Sequence, residues 1–158
     1  MLPAKASHRE HRFTARTFIA RPRPEVFAFF AAAENLERIT PPELRFQIMT
    51  PLPLRMASGA LIDYRLRLFG IPFQWTTLIS LWEPCCSFVD EQVTGPYAMW
   101  VHTHSFHEAS GGTLVNDEVR YRLPLFPLGE VAYPLVRLQL RRVFDYRARR
   151  LSELLTLL

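Results

Sequence analysis

The chain has 158 residues, 49% of them hydrophobic and 22% charged, the balance of one globular domain large enough for a sizeable core and an internal cavity. No apolar run approaches the roughly 18 residues of a membrane-spanning helix, which excludes that class. The net charge of +4 is carried by arginine, Lys5 being the only lysine, and Glu130, Asp145 and Glu153 interleave with the arginines near the C-terminus, so no nucleic-acid footprint is expected.

Met1 to Arg12 is polar and basic without an apolar stretch. It reads as a flexible or disordered tail rather than a secretory signal, leaving one domain over residues 13–158. Phe13 to Ala20 alternates as a first strand, which Pro22 and Pro24 stop. Pro24-Glu25 opens a helix, with proline at its first position and an acidic residue in its first turn; Val26, Phe27, Phe29 and Phe30 give its apolar face. A second short helix is predicted over Ala31 to Ile39, ending before Thr40-Pro41-Pro42, where a residue preceding proline is pushed out of helical conformation.

Strands follow. Leu44 to Met49 is one, and Ala60 to Phe69 another, with Ile62, Tyr64, Leu66 and Leu68 on one face and Asp63, Arg65 and Arg67 on the other. Gly70-Ile71-Pro72 turns into Phe73 to Trp82, where strict alternation puts Trp75 and Trp82 on opposite faces. Glu83-Pro84 turns again into Ser87 to Thr94. Gly111-Gly112 makes the last hairpin, into Thr113 to Leu123. Pro124 and Pro127 leave the sheet, and a long helix runs from Pro134 toward Leu155. Val136, Leu140, Val143, Phe144, Arg147, Leu151 and Leu154 share one stripe of that helix. The adjacent Cys85 and Cys86 suit reduced thiols in a turn, since a bridge between neighbours is strained; this fits a reducing cytoplasm.

The strand over Tyr97 to Phe106 is the most informative. With period 2 it puts Trp100, His102, His104 and Phe106 on one face, the pattern of a mostly apolar cavity wall with a few polar points. On Ser87 to Thr94 the valines Val89 and Val93 define the apolar face, which predicts that Glu91 points inward. On Thr113 to Leu123 the inner face is Val115, Asp117, Val119 and Tyr121.

The element order and several segments together resemble the helix-grip fold of the START, birch-pollen-allergen and SRPBCC superfamily, within it the bacterial polyketide cyclase/dehydrase-like group. The segments are Ile39-Thr40-Pro41-Pro42, Phe88-Val89-Asp90-Glu91-Gln92, Gly95-Pro96-Tyr97, Trp100-x-His102-x-His104-x-Phe106, and Gly112-Thr113 with Asp117 and Tyr121. The resemblance implies an α+β domain, a curved antiparallel sheet wrapped around a long C-terminal helix, with a hydrophobic ligand cavity between them. It implies no single reaction.

The expected ligand is therefore a small hydrophobic, polyketide- or lipid-like molecule, lined by Trp100, Tyr64, Trp75, Tyr97, Phe106, Tyr121 and Phe144. Candidate catalytic groups are His102, His104, Glu91 and Asp117, which would serve a cyclase, dehydratase or isomerase if the domain is an enzyme. A regulatory module partnering an epimerase-like protein is the other rival, and a homodimer is left open. His102 and His104 have Cα atoms about 6.5–7 Å apart by strand geometry, which permits two ligands on one metal. Glu91 or Asp117 could be a third, but the spacing specifies no convergent set of three or four ligands, so neither metal nor other cofactor is expected.

Overall fold

The computed structural model describes residues 8–156. Seven strands form one antiparallel sheet in the order β1-β7-β6-β5-β4-β3-β2. They are β1 (Glu10–Ile19), β2 (Gln47–Ile48), β3 (Leu61–Leu68), β4 (Ile71–Glu83), β5 (Ser87–Thr94), β6 (Met99–Ala109) and β7 (Gly112–Arg122). Two short helices, α1 (Arg23–Ala31) and α2 (Asn35–Arg38), follow β1, and the 24-residue α3 (Tyr133–Thr156) closes the chain. This is the helix-grip α+β arrangement. No helix among the described residues is long and apolar enough to cross a membrane.

Turn chemistry sets the meander. β3 and β4 are joined by Phe69-Gly70, whose φ angles of 52° and 78° make the mirror-image turn that matches hairpin twist. Glycine adopts this conformation at little strain. The strand expected over Leu44 to Met49 shrinks to two residues. Pro42–Leu44 is instead a 3₁₀ turn, and Arg45 at φ 44° takes the chain out of the extended region before β2 begins. The second helix is likewise only Asn35–Arg38.

Residues 10–12 of the segment expected as a tail over 1–12 are strand. Residues 1–7 lie outside those described, while Glu10, His11 and Arg12 pair with Arg122, Tyr121 and Arg120 of β7. His11 is buried, stacked on Tyr133 and hydrogen-bonded to Glu130, so charge on both sides of it does not keep this segment out of the sheet.

A β-bulge decides the far end of β4. Ile79 pairs with Asp90 and Leu81 with Val89, leaving Ser80 unmatched. One extra residue reverses the alternation, so Trp82 lies on the same face as Trp75 and packs against Phe27 and Phe88. The expected opposite facing of the two tryptophans is thereby overturned.

The concave face is covered from both ends. α1 and the C-terminal turns of α3 pack Val26, Phe27, Leu151 and Leu155 against Phe88, Phe106 and Val115. The N-terminal half of α3 packs Val136, Leu140 and Phe144 against Phe13, Val119 and Tyr121. Burying a large apolar side chain stabilises by about 1.5–3 kcal/mol, and these contacts fix the angle at which the helix crosses the sheet. Between them the surfaces do not meet.

Candidate functional site

That gap is a cavity of about 170 Å³ bounded by the sheet, by α1 and α2, and by α3. Its wall is aromatic where β3, β4 and β6 meet. Tyr64 stacks on Trp75 at 5.8 Å, Trp75 meets Trp100 edge-on at 5.3 Å, and Tyr97 lies 4.8 Å from Trp100. Edge-to-face and offset pairs of this kind hold one another in place. Leu66, Val143 and Phe144 complete the apolar lining on either side.

The wall ends on a buried polar cluster. β6 turns His102 and His104 inward, with ring centroids 3.7 Å apart. Strand register supplies a carboxylate on each side, because Asp90 of β5 pairs with His102 and Asp117 of β7 pairs with His104. Each imidazole hydrogen-bonds diagonally: His102 Nε2 to Asp117 Oδ1 at 2.9 Å, His104 Nε2 to Asp90 Oδ2 at 2.8 Å. His104 Nδ1 also lies 2.9 Å from Asp117 Oδ1, but off the hydrogen-bonding line, and makes no hydrogen bond there. His102 Nδ1 is 3.6 Å from Asp90 Oδ2.

The protonation pattern follows from these contacts. Burial pushes the Asp117 carboxyl up, but its contacts with His102 and His104 outweigh burial and hold it well below the usual carboxylate range. Asp90 is lowered in the same way: the attraction of His102 and His104 exceeds the effect of burial. Burial also pulls His104 down, yet Asp117 and Asp90 together raise it above the ordinary imidazole value. His102 is lowered, by burial first and then by repulsion from His104. A carboxylate only accepts, so His102 carries its proton on Nε2 toward Asp117 and leaves Nδ1 as a lone pair beside Asp90.

Arg147 balances the charge. It sits on the buried stripe of α3, its guanidinium 4.8 Å over the Phe144 ring and its NH1 4.0 Å from Asp117 Oδ1. Two carboxylates thus face one guanidinium and two imidazoles that give them hydrogen bonds, so the buried negative charge is compensated. Besides His104 Nδ1, two donors of the cavity lining are buried without an acceptor among the described residues: the Trp75 indole N–H and the Arg147 Nε–H.

Among the expected residues, Tyr64, Trp75, Tyr97, Trp100, His102, His104 and Phe144 line this cavity. Asp117 stands behind the imidazoles rather than in the wall. Phe106 and Tyr121, 1% and 0% exposed, belong to the packed clusters on either side and not to the lining. Glu91 is on the other face: it pairs with Leu78 and Val101, and its neighbour Asp90 is the inward carboxylate. The valines misdirect because Val93 is 55% exposed on the convex side, whereas Phe88, buried two residues before Asp90, marks the concave one. Sequence reasoning also passed over Arg147 as a site residue, although its place on an apolar helical stripe was the available signal.

No family model matches the chain, and no curated protein is close enough in sequence to pair with it. Solved structures do match in fold. The ZhuI aromatase/cyclase from Streptomyces sp. R1128 superposes with a TM-score of 0.74 at 14% identity, covering 94% of each chain. A START superfamily protein from Mycobacterium smegmatis gives 0.70 at 13% identity over 92% of this chain and 97% of that one. Major latex-like protein 151 from Panax ginseng gives 0.64 at 12% identity, covering 91% and 96% respectively. At these identities the likeness establishes the START/SRPBCC helix-grip fold.

Proposed function

We propose that this helix-grip domain binds a small, mostly apolar molecule with one oxygen-bearing end in the cavity between the sheet and α3. The observation that carries the reading is an aromatic wall that ends on a buried His–Asp–Arg cluster. Binding pockets combine these two features, apolar area for affinity and a few placed polar groups for orientation. Size narrows the class. An apolar cavity of about 150 Å³ takes one benzene ring, and this one measures about 170 Å³, so one ring or a short acyl segment fits without rearrangement. The indole N–H of Trp75 and the Nε–H of Arg147 would meet an acceptor oxygen, and His102 Nδ1 a hydroxyl donor. Polyketide- and lipid-like compounds carry such ends, and one of the similar structures is an aromatase/cyclase by name.

Binding of 4-nitrophenol, one ring with an oxygen-bearing end, followed by tryptophan quenching, tests this reading. Trp100→Ala removes a stacking surface worth about 0.5–1.5 kcal/mol beyond area burial, and about 1.5–3 kcal/mol in total once contact area is included. The dissociation constant should therefore rise by about 10-fold or more. Arg120→Ala, on the outer face beside Glu10, should leave it unchanged. Equal effects from the two substitutions would overturn the cavity assignment.

A second reading is favoured by the His102–Asp117 pair. An imidazole fixed by a carboxylate, with its other nitrogen bare at a cavity, is the arrangement of a general base. An isomerase, cyclase or dehydratase would lose about 10²-fold or more in turnover on His102→Gln. A binding protein would lose only modest affinity.

A further inference from the structure

We propose that Asp90, His102 and His104 form a binding site for one divalent transition-metal ion, with Asp117 as the carboxylate that orients the His102 imidazole from behind. The sequence offers two histidines with Glu91 or Asp117 as the third ligand; the pairing of β5 with β6 supplies Asp90 instead. The donor atoms of the three residues all lie within 4.8 Å of one another, and Asp90 Oδ2 stands 2.8 Å from His104 Nε2 and 3.6 Å from His102 Nδ1. Donors bound about 2.0–2.2 Å from one zinc ion are separated by roughly 3–4 Å; the two separations from Asp90 are near that range, and a widest separation of up to 4.8 Å closes by side-chain adjustments on the order of 1 Å.

The surroundings fit the same assignment. Metal-bound histidines characteristically give their second N–H to a carboxylate, which fixes the tautomer and directs the lone pair at the ion. Asp117 Oδ1 accepts this bond from His102 Nε2 at 2.9 Å and lies as close to His104 Nδ1, though off its hydrogen-bonding line. That leaves His102 Nδ1 and His104 Nε2 directed toward the same Asp90 oxygen. In the free protein His104 Nε2 donates to Asp90 Oδ2; a divalent ion would replace that proton and take both imidazole nitrogens and the carboxylate oxygen as donors. Two imidazoles and one carboxylate favour Zn, Co or Ni over Mg or Ca. Asp90, His102 and His104 also border the aromatic cavity, so the ion's remaining positions would face a bound molecule's oxygen.

This inference does not rest on the small-molecule reading, and cobalt alone tests it. Chelator-treated full-length protein is titrated with Co2+, and the visible d–d absorption is followed. One saturable equivalent per chain is expected, together with paramagnetically shifted ring resonances from two histidines in the wild-type NMR spectrum. Asp117→Asn should weaken binding by about 10–100-fold, His104→Ala by more, and Glu91→Gln not at all. No saturable band at equimolar cobalt, or a band unchanged by His104→Ala, would overturn the proposal. If the histidine variant fails to fold, the wild-type NMR spectrum decides: two shifted imidazoles support the site, and none refutes it.

Discussion

Asp90 and Glu91 are adjacent acids on one strand, and they make a direct test of which face of β5 is buried. Asp90 Oδ2 accepts a 2.8 Å hydrogen bond from His104 with its side chain only 17% exposed. Glu91 sits between Leu78 and Val101 on the outer face. Asp90→Asn keeps the shape but removes the charge that the His104 N–H faces. A hydrogen bond to a charged group contributes about 1.5–3 kcal/mol. In a domain of this size each kcal/mol is about 2–4 °C in Tm, so Asp90→Asn should lower Tm by about 3–12 °C in metal-free protein at neutral pH. Glu91→Gln, a surface change worth at most about 0.5 kcal/mol, should move it by no more than about 2 °C. Circular-dichroism melts and urea titrations of both variants provide the comparison. A larger loss from Glu91→Gln, or the same loss from both, would mean that the strand is inverted and that the His–Asp cluster is not assembled as described.

Three further outcomes follow from the packing. Arg147→Met removes the guanidinium over Phe144 and beside Asp117, and urea titration should give a loss on the order of 2–3 kcal/mol; exposed Arg141→Met should stay within about 0.5 kcal/mol. Deleting Ser80 removes the bulge and drives Trp82 to the convex face, so the variant should melt far below Ser80→Ala, and equal melting temperatures would show that the bulge is dispensable. Removing residues 134–158 uncovers the apolar concave face, so light scattering should report aggregation; a soluble truncated chain with a sharp melting transition would contradict the role given to α3.

Much of this architecture is legible in the sequence, because single-face burial writes a period into it. β3 alternates Ile62, Tyr64, Leu66 and Leu68 against charges, and β6 carries Trp100, His102, His104 and Phe106 on one side. α3 shows its buried stripe, Arg147 included. What needed the tertiary structure is whatever depends on a neighbouring strand. β5 has apolar residues at both parities, so only its register with β6 makes Asp90 the inward acid. The bulge at Ser80 exists only relative to β5, and β1 reaches back to Glu10 only because β7 offers a ladder and Glu130 a partner for His11. Phe106 and Tyr121 face inward as the alternation says, but whether an inward ring lines a cavity or fills a core depends on how close α1 and α3 come at that point. Periodicity is a property of one strand. The distance between layers is set by the sum of all the side chains that separate them, and no single segment encodes it.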